Sequence, residues 1–250
     1  MKLGAQFFSI RNMTQTPEGV RRSFQKMHEI GYTVSQMSGI CAMQPEMLRD
    51  LAEEFFLPIT CTHNPYDRII NDTDKLIREH KIFGCSVIGL GAMPNEFRTS
   101  AERLRAFIAS LAEPIKKMEA EGLKFAYHNH AFEFERIDGK QIFDILIEES
   151  PNMNFILDTY WVRYGNNDVQ KYIDLLGGSR MTNIHLKDMK TENQGAICPC
   201  GEGVIDFVPI IDKCRRVGVQ YALVEQDNAV DTPDSYNEMA TSYNNLKKYF

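Results

Sequence analysis

Residues 86–129 read SVIGLGAMPNEFRTSAERLRAFIASLAEPIKKMEAEGLKFAYHN, and this stretch decides the fold. It opens on a short β-rich apolar run (86–91) and passes into a long amphipathic helical segment (100–122). It closes, just after Gly122, on a second β-rich run (123–129). Two strands joined by one helix make a βαβ unit, which sets the strands parallel in one sheet. The glycine falls where a chain leaving a helix turns through left-handed backbone. GLGAMP lacks the third glycine of a dinucleotide-binding loop, which argues against a doubly wound nucleotide fold.

The same unit recurs along the whole chain. Further strand-like runs are LGAQFFSI (3–10), YTVSQMSG (32–39), PITCTH (58–63), MNFILD (153–158), MTNIHLK (181–187) and QYALVEQ (220–226). Helical stretches such as EGVRRSFQKMHEIG (18–31) and PEMLRDLAEEFF (45–56) lie between them, and Gly31, Gly84 and Gly218 repeat the helix-end signal. Eight strand–helix repeats in 250 residues is the count of a (β/α)8 TIM barrel. No linker or low-complexity tract divides the chain, so a single domain over residues 1–250 is expected.

Lys and Arg number 28 against 34 Asp and Glu, a net charge of −6. That balance argues against a nucleic-acid partner, which needs clustered cations. The N-terminal MKLGAQFFSIRN is too short and too early charged for a signal peptide, and no apolar span reaches 18 residues, so no membrane association is expected. The cysteines at 41, 61, 85, 198, 200 and 214 are scattered, which fits a reduced, cytoplasmic protein. Cys198 and Cys200 form a C-x-C pair without the second pair that a structural zinc site requires. His28 and His80 fall in helical segments and read as surface residues.

Barrel chemistry gathers at the C-terminal ends of the strands, and the last four runs end in acids or histidines. His128, His130 and Glu133 follow strand 5, Asp158 ends strand 6, His185 lies on strand 7 and Glu225 on strand 8, while strand 3 contributes His63. One histidine with three carboxylates suits a divalent metal: Mn²⁺, Mg²⁺, Co²⁺ or Zn²⁺. Each residue has a plainer reading: Asp158 as a helix cap, His185 as a satisfied core histidine, Glu225 as a polar strand terminus. Their joint occurrence on three successive strands favours a shared metal site.

The motifs GAQFFSIRN, YHNHAFEFE, ILDTYWVRYG, NIHLKDM, PCGEGVIDF and LVEQD, in that order, resemble the xylose-isomerase-like barrel superfamily of sugar isomerases and epimerases, which also contains endonuclease IV. The resemblance implies a metal held by Glu, Asp, His and Glu from strands 5 to 8. Asp158, His185 and Glu225 match three of these. At the strand-5 position this chain carries His128, and the nearest carboxylate is Glu133. Glu133 is therefore the expected fourth ligand, with His128 its competitor and Glu135 a third candidate. The YHNHAFEF segment is similar to that of sugar phosphate isomerases/epimerases, inosose dehydratases and lyases of 3-keto sugars. These reactions share removal of a proton from carbon next to a carbonyl.

The expected function is thus a metal-dependent sugar isomerase or epimerase, with a lyase or dehydratase on the same metal site as the alternative. A non-catalytic sugar-binding barrel is the second alternative. His130 is the first candidate base, with His128 and Glu225 beside it, and Lys187 either neutralises a developing oxyanion or is an exposed loop lysine. Gln6, His63, Glu202 and Gln226 are candidates to bind sugar hydroxyls. Tyr160 and Trp161 are candidates for a stacking wall, or else pack internally. Endonuclease IV chemistry needs extra ligands on strand 4, where GLGAMP offers none. Whether the barrel forms a homo-oligomer stays open.

Overall fold

The computed structural model describes residues 1–192 and 194–250. Eight strands run parallel: β1 Lys2–Gln6, β2 Val34–Met37, β3 Ile59–Asn64, β4 Val87–Leu90, β5 Lys124–His128, β6 Asn154–Asp158, β7 Met181–Leu186 and β8 Tyr221–Val224. Each pairs with its sequence neighbours, and β1 pairs with β8 from Lys2↔Tyr221 to Ala5↔Val224, closing a barrel. The outer helices are α1 Pro17–Ile30, α2 Pro45–Glu54, α3 Thr73–Ile82, α4 Ala101–Ala120, α5 Ile142–Glu149, α6 Val169–Arg180, α7 Phe207–Val217 and α8 Ser235–Leu246. This is the TIM barrel that the strand–helix alternation implies. No helix among the described residues is long and apolar enough to cross a membrane.

The helix ends follow the local chemistry of the chain. Ser100 accepts the Arg103 N–H at 3.2 Å and starts α4, supplying one orphan donor of the first turn with a partner. Gly31, Gly84, Gly122 and Gly218 all adopt positive φ, as expected at the turn from helix to strand. At Gly31 a Cβ would also lie 2.3 Å from the Tyr243 hydroxyl, so a side chain is excluded there twice.

Period-two alternation sorts the strands. A small cluster of Cys61, Val87, Ala126 and Ile156, one residue from each of β3 to β6, stands separate from the large apolar core. Two residues beyond Cys61, Ala126 and Ile156, on the same face, come His63, His128 and Asp158. The glycines of the GLG run serve this layer. A Cβ on Gly89 would lie 2.2 Å from the Thr62 carbonyl, and one on Gly91 would lie 3.3 Å from His63 Nδ1. Glycine there lets β4 approach β3 beneath the imidazole.

Several sequence expectations need correction. The run 3–10 is a strand only to Gln6, after which Phe7–Met13 forms 3-10 turns, with the Gln6 side chain accepting the Phe8 N–H. Short helices, Tyr66–Asn71 and Thr159–Tyr164, follow β3 and β6. His80 is buried, not on the surface. Its Nδ1–H donates to the Leu76 carbonyl at 2.7 Å, its Nε2 accepts from the Thr62 hydroxyl at 2.7 Å, and Asn64 donates to Thr62 at 2.7 Å. The α3 periodicity points this histidine at β3, and every polar atom finds a partner, so burial is tolerated.

Burial holds the His80 imidazole down at about 4, from an ordinary 6.5. Between those values the unfolded chain takes up a proton that the folded chain refuses, so this contribution is present above pH 6.5 and is lost as pH falls towards 4. The loss at pH 4.5 is about 2–3 kcal/mol. In urea unfolding, the stability advantage of the wild type over His80→Gln should shrink by that amount between pH 7 and pH 4.5. A pH-independent difference would contradict the burial of a neutral imidazole.

Candidate metal centre

At the C-terminal mouth the strands bring His128, Asp158, His185 and Glu225 together. One ligand atom from each lies within 4.8 Å of the others, and all four residues are buried. Asp158 Oδ2 is 3.3 Å from His128 Nε2 and 3.8 Å from His185 Nδ1, while Glu225 Oε2 is 2.8 Å from His185 Nδ1 and 3.8 Å from His128 Nε2. The other Asp158 oxygen accepts the Trp161 N–H at 3.0 Å and caps the short helix there. Asp158 is thus a helix cap and a cluster member at once.

The far nitrogens of the two imidazoles are both committed to oxygen acceptors. His128 Nδ1 donates to the Gly91 carbonyl at 3.1 Å, and His185 Nε2 donates to Gln36 Oε1 at 2.8 Å. The Gln36 amide is oriented in turn, because Asn183 Nδ2 donates to the same oxygen at 3.4 Å while Asn183 Oδ1 accepts from Thr182 at 2.8 Å. The inward nitrogens lie at hydrogen-bond distance from the carboxylates, His128 Nε2 3.3 Å from Asp158 Oδ2 and His185 Nδ1 2.8 Å from Glu225 Oε2. In the neutral imidazole, where only one nitrogen bears hydrogen, these inward nitrogens would present lone pairs. Two such lone pairs and two carboxylates would share a cation held between them. An imidazole whose outer N–H is tied to an oxygen is the usual arrangement of a metal-bound histidine. The donor set fits a divalent metal.

Lys187 supplies positive charge from the side. Its ammonium, 1% exposed, lies 3.1 Å from Asp158 Oδ2, 3.0 Å from Glu225 Oε2 and 3.1 Å from Asp227 Oδ2. The exposed-lysine reading is therefore set aside. Burial pushes Glu225 upward, but Lys187, His185 and His128 outweigh it and hold the carboxyl far below its usual range. Asp158 follows the same balance, with Lys187 and His128 overcoming burial. Lys187 itself is raised, the carboxylates of Asp158, Glu225 and Asp227 prevailing over desolvation.

Glu133 stands outside the cluster. Its carboxylate takes a hydrogen bond from the Tyr127 hydroxyl and another from the His130 backbone N–H at 2.8 Å. Burial pushes it up to about 7 against those two bonds. The strand ends at His128, and the following 3-10 turn Phe132–Phe134 folds Glu133 behind Tyr127. His128, on the strand itself, faces the centre instead. Glu135 follows the turn and is exposed.

A cavity of ≈390 Å³ opens over the cluster, lined by His63, His128, His130, Lys187, Glu225 and Asp227 on its chemical side and by Phe8, Asn64 and Tyr66 among others opposite. His130 Nδ1 and His63 Nε2 are buried without a hydrogen-bond partner. Both imidazoles are held well below their ordinary value, first by burial and then by the neighbouring His128. The remaining candidates lie elsewhere. Gln6 and Tyr160 are buried beside the mouth, with the Tyr160 hydroxyl on the Gly195 carbonyl at 3.1 Å. Gln226 is tied to Glu238 at 2.7 Å, and Glu202 is exposed on a turn. Trp161 stands behind the cavity, 5.4 Å from the His130 ring and 5.2 Å from the Lys187 ammonium.

Sequence reasoning missed Gln36, Asp227 and Asp188. A polar residue inside the apolar run YTVSQMSG was the available signal for Gln36, and the i+2 relation to Glu225 was the signal for Asp227. Asp188 organises the CGEGVI loop: its carboxylate accepts the N–H groups of Met189 (2.8 Å), Gly201 (2.8 Å), Gly203 (3.0 Å) and Ile205 (3.1 Å). A Cβ on Gly203 would collide with that carboxylate at 2.4 Å. Cys200 donates to the Leu186 carbonyl at 3.1 Å, and both loop cysteines are free thiols. Asp188→Ala leaves these donors without their acceptor and should cost at least about 2 kcal/mol in chemical denaturation. An unchanged midpoint would remove Asp188 as the organiser of the loop.

A family model described as xylose isomerase-like TIM barrel matches residues 24–246. Among solved structures, a sugar phosphate isomerase/epimerase from Parabacteroides distasonis is similar at 23% identity and TM-score 0.79, covering 99% of this chain and 98% of the other. A probable 3-DHS dehydratase from Bacillus anthracis matches at 14% identity and TM-score 0.78, covering 99% of each chain. The IOLI protein with a bound zinc atom matches at 14% identity and TM-score 0.75, covering 100% of this chain and 99% of the other. No curated protein matches the sequence significantly.

Proposed function

We propose, from the premise that the chain belongs to the xylose isomerase-like TIM-barrel family, that it is a divalent-metal-dependent isomerase or epimerase of a sugar or keto-sugar. One observation carries the reading: two imidazoles, each with its outer N–H tied to a carbonyl oxygen, turn their inner nitrogens towards the same point as two buried carboxylates. His128, Asp158, His185 and Glu225 would hold the ion. Two nitrogen donors favour Zn²⁺, Co²⁺ or Mn²⁺ over Mg²⁺. When bound, such an ion acts as a Lewis acid that polarises a sugar carbonyl and acidifies the neighbouring C–H.

The chain's own residues supply the rest. Burial keeps His130 neutral with Nδ1 unpartnered at the cavity wall, so it can accept the proton at that nitrogen. Its depressed basicity makes it a poor base towards an ordinary C–H, so it acts only on carbon already acidified. His63, on β3, offers a second neutral imidazole with a free Nε2. Two imidazoles, one on β3 and one on the loop after β5, fit transfer of a proton off one face of a carbon and onto another. The Lys187 ammonium beside Asp227 is placed to neutralise an oxyanion. The same proton removal followed by loss of a β-substituent is the second reading, supported by the likeness to a probable 3-DHS dehydratase.

Purified protein should retain one divalent ion per chain by elemental analysis, and Asp158→Ala or His185→Ala should weaken retention at least 100-fold. Stoichiometric metal in both variants would sink the ligand assignment. In deuterated water, metal-loaded protein should label the α-carbon of at least one keto-sugar in a panel. His130→Asn should abolish that labelling, while His63→Asn should keep the labelling and lose the epimerised product. Labelling that survives His130→Asn would transfer the role of base to another group.

A further inference from the structure

The Lys187 ammonium does not contact peripheral atoms of the cluster. It lies 3.1 Å from Asp158 Oδ2 and 3.0 Å from Glu225 Oε2, the same two oxygens that face His128 Nε2 and His185 Nδ1. An ammonium and a divalent ion sharing those two oxygens are brought within a few ångströms of each other, deep in a protein where screening is weak. Lys187 has two further partners that belong to no ligand set. Asp227 Oδ2 lies 3.1 Å away on the cavity wall, with its side chain 27% exposed, and the Trp161 ring centre lies 5.2 Å away. Both a carboxylate and an aromatic face attract a cation.

Resting on the metal reading above, we propose that Lys187 is a tethered competitor of the metal and that Asp227 is the anchor to which its ammonium withdraws, so that the pair sets metal affinity. Charge supports the pairing. Asp158, Glu225 and Asp227 bring three negative charges, and one lysine with one divalent ion brings three positive. The centre is balanced with both cations present, provided the lysine leans on Asp227. Without the lysine the carboxylates are left to the ion alone and hold it more tightly. Without Asp227 the ammonium has only the ligand oxygens and the tryptophan face to occupy.

Mn²⁺ titration by calorimetry, on folded variants with thermal unfolding followed in parallel, tests this. Lys187→Met should tighten Mn²⁺ at least tenfold and enlarge the metal-dependent rise in Tm. Asp227→Asn should weaken Mn²⁺ about tenfold in the wild-type background and less than threefold in the Lys187→Met background, since its partner is then absent. If Lys187→Met fails to fold, Lys187→Gln is held to the same expectation, and the Asp227→Asn measurement stands by itself. Weaker or unchanged Mn²⁺ binding on removing the lysine, or an equal Asp227→Asn cost in both backgrounds, overturns the proposal. A wild type that binds neither Mn²⁺ nor Zn²⁺ overturns the metal reading itself, a result separate from any behaviour of the variants.

Discussion

Two carboxylates buried at the floor of the mouth, Asp158 and Glu225, impose the constraint from which the rest of the site follows. Moving an ionised carboxyl out of water costs several kcal/mol even after the protein relaxes. The cost is bearable only with positive charge or hydrogen-bond donors within reach. Lys187 provides the charge, and the backbone N–H of Trp161 takes one oxygen of Asp158. The imidazoles are oriented at a distance, by the Gly91 carbonyl and by a line running from the Thr182 hydroxyl through the Asn183 and Gln36 amides. Barrel closure is essential to this, since Gln36 sits on β2 and His185 on β7, and only a closed sheet faces them across the lumen.

Such a centre draws on stability made elsewhere. Removing one partner of a buried ion pair typically costs 3–5 kcal/mol, a large part of the 5–15 kcal/mol by which a domain of ordinary stability exceeds its unfolded state. The apolar layer between sheet and helices supports it, with Phe24, Phe107, Phe143 and Phe155 fully buried at roughly 1.5–3 kcal/mol each. The core and the site are thus coupled through total stability, although they occupy different shells of the barrel.

The architecture was legible in the sequence because it rests on periodicity and punctuation, both local properties. Strand runs, amphipathic helices and terminal glycines each declare themselves within a dozen residues. Three members of the cluster were also legible, since Asp158, His185 and Glu225 interrupt apolar strands at their ends. The strand-5 contribution depended on where β5 stops, and strand ends are set by pairing with β4 and β6, which local sequence does not encode. His128 lies on the last paired residue and Glu133 on the turn beyond it, a difference that spacing alone left open. His80 and Asp227 were missed for a related reason: each is justified only by a partner far away in sequence or on another element.

The cavity divides between the two halves of the chain. Strands β5 to β8 and the loops that follow them carry His128, His130, Lys187, Glu225 and Asp227, whereas β1 to β4 lead into Phe8, Ser38, Asn64, Pro65, Tyr66 and Ala92. The second half therefore holds the charged cluster, and the first half forms most of the wall around it. His63 on β3 is the histidine that the first half brings to this cavity. Mutations in the loops after β1, β2 and β4 can reshape the chamber for a different ligand while the charged floor keeps its geometry. A barrel assembled this way can change its diet without relearning its chemistry.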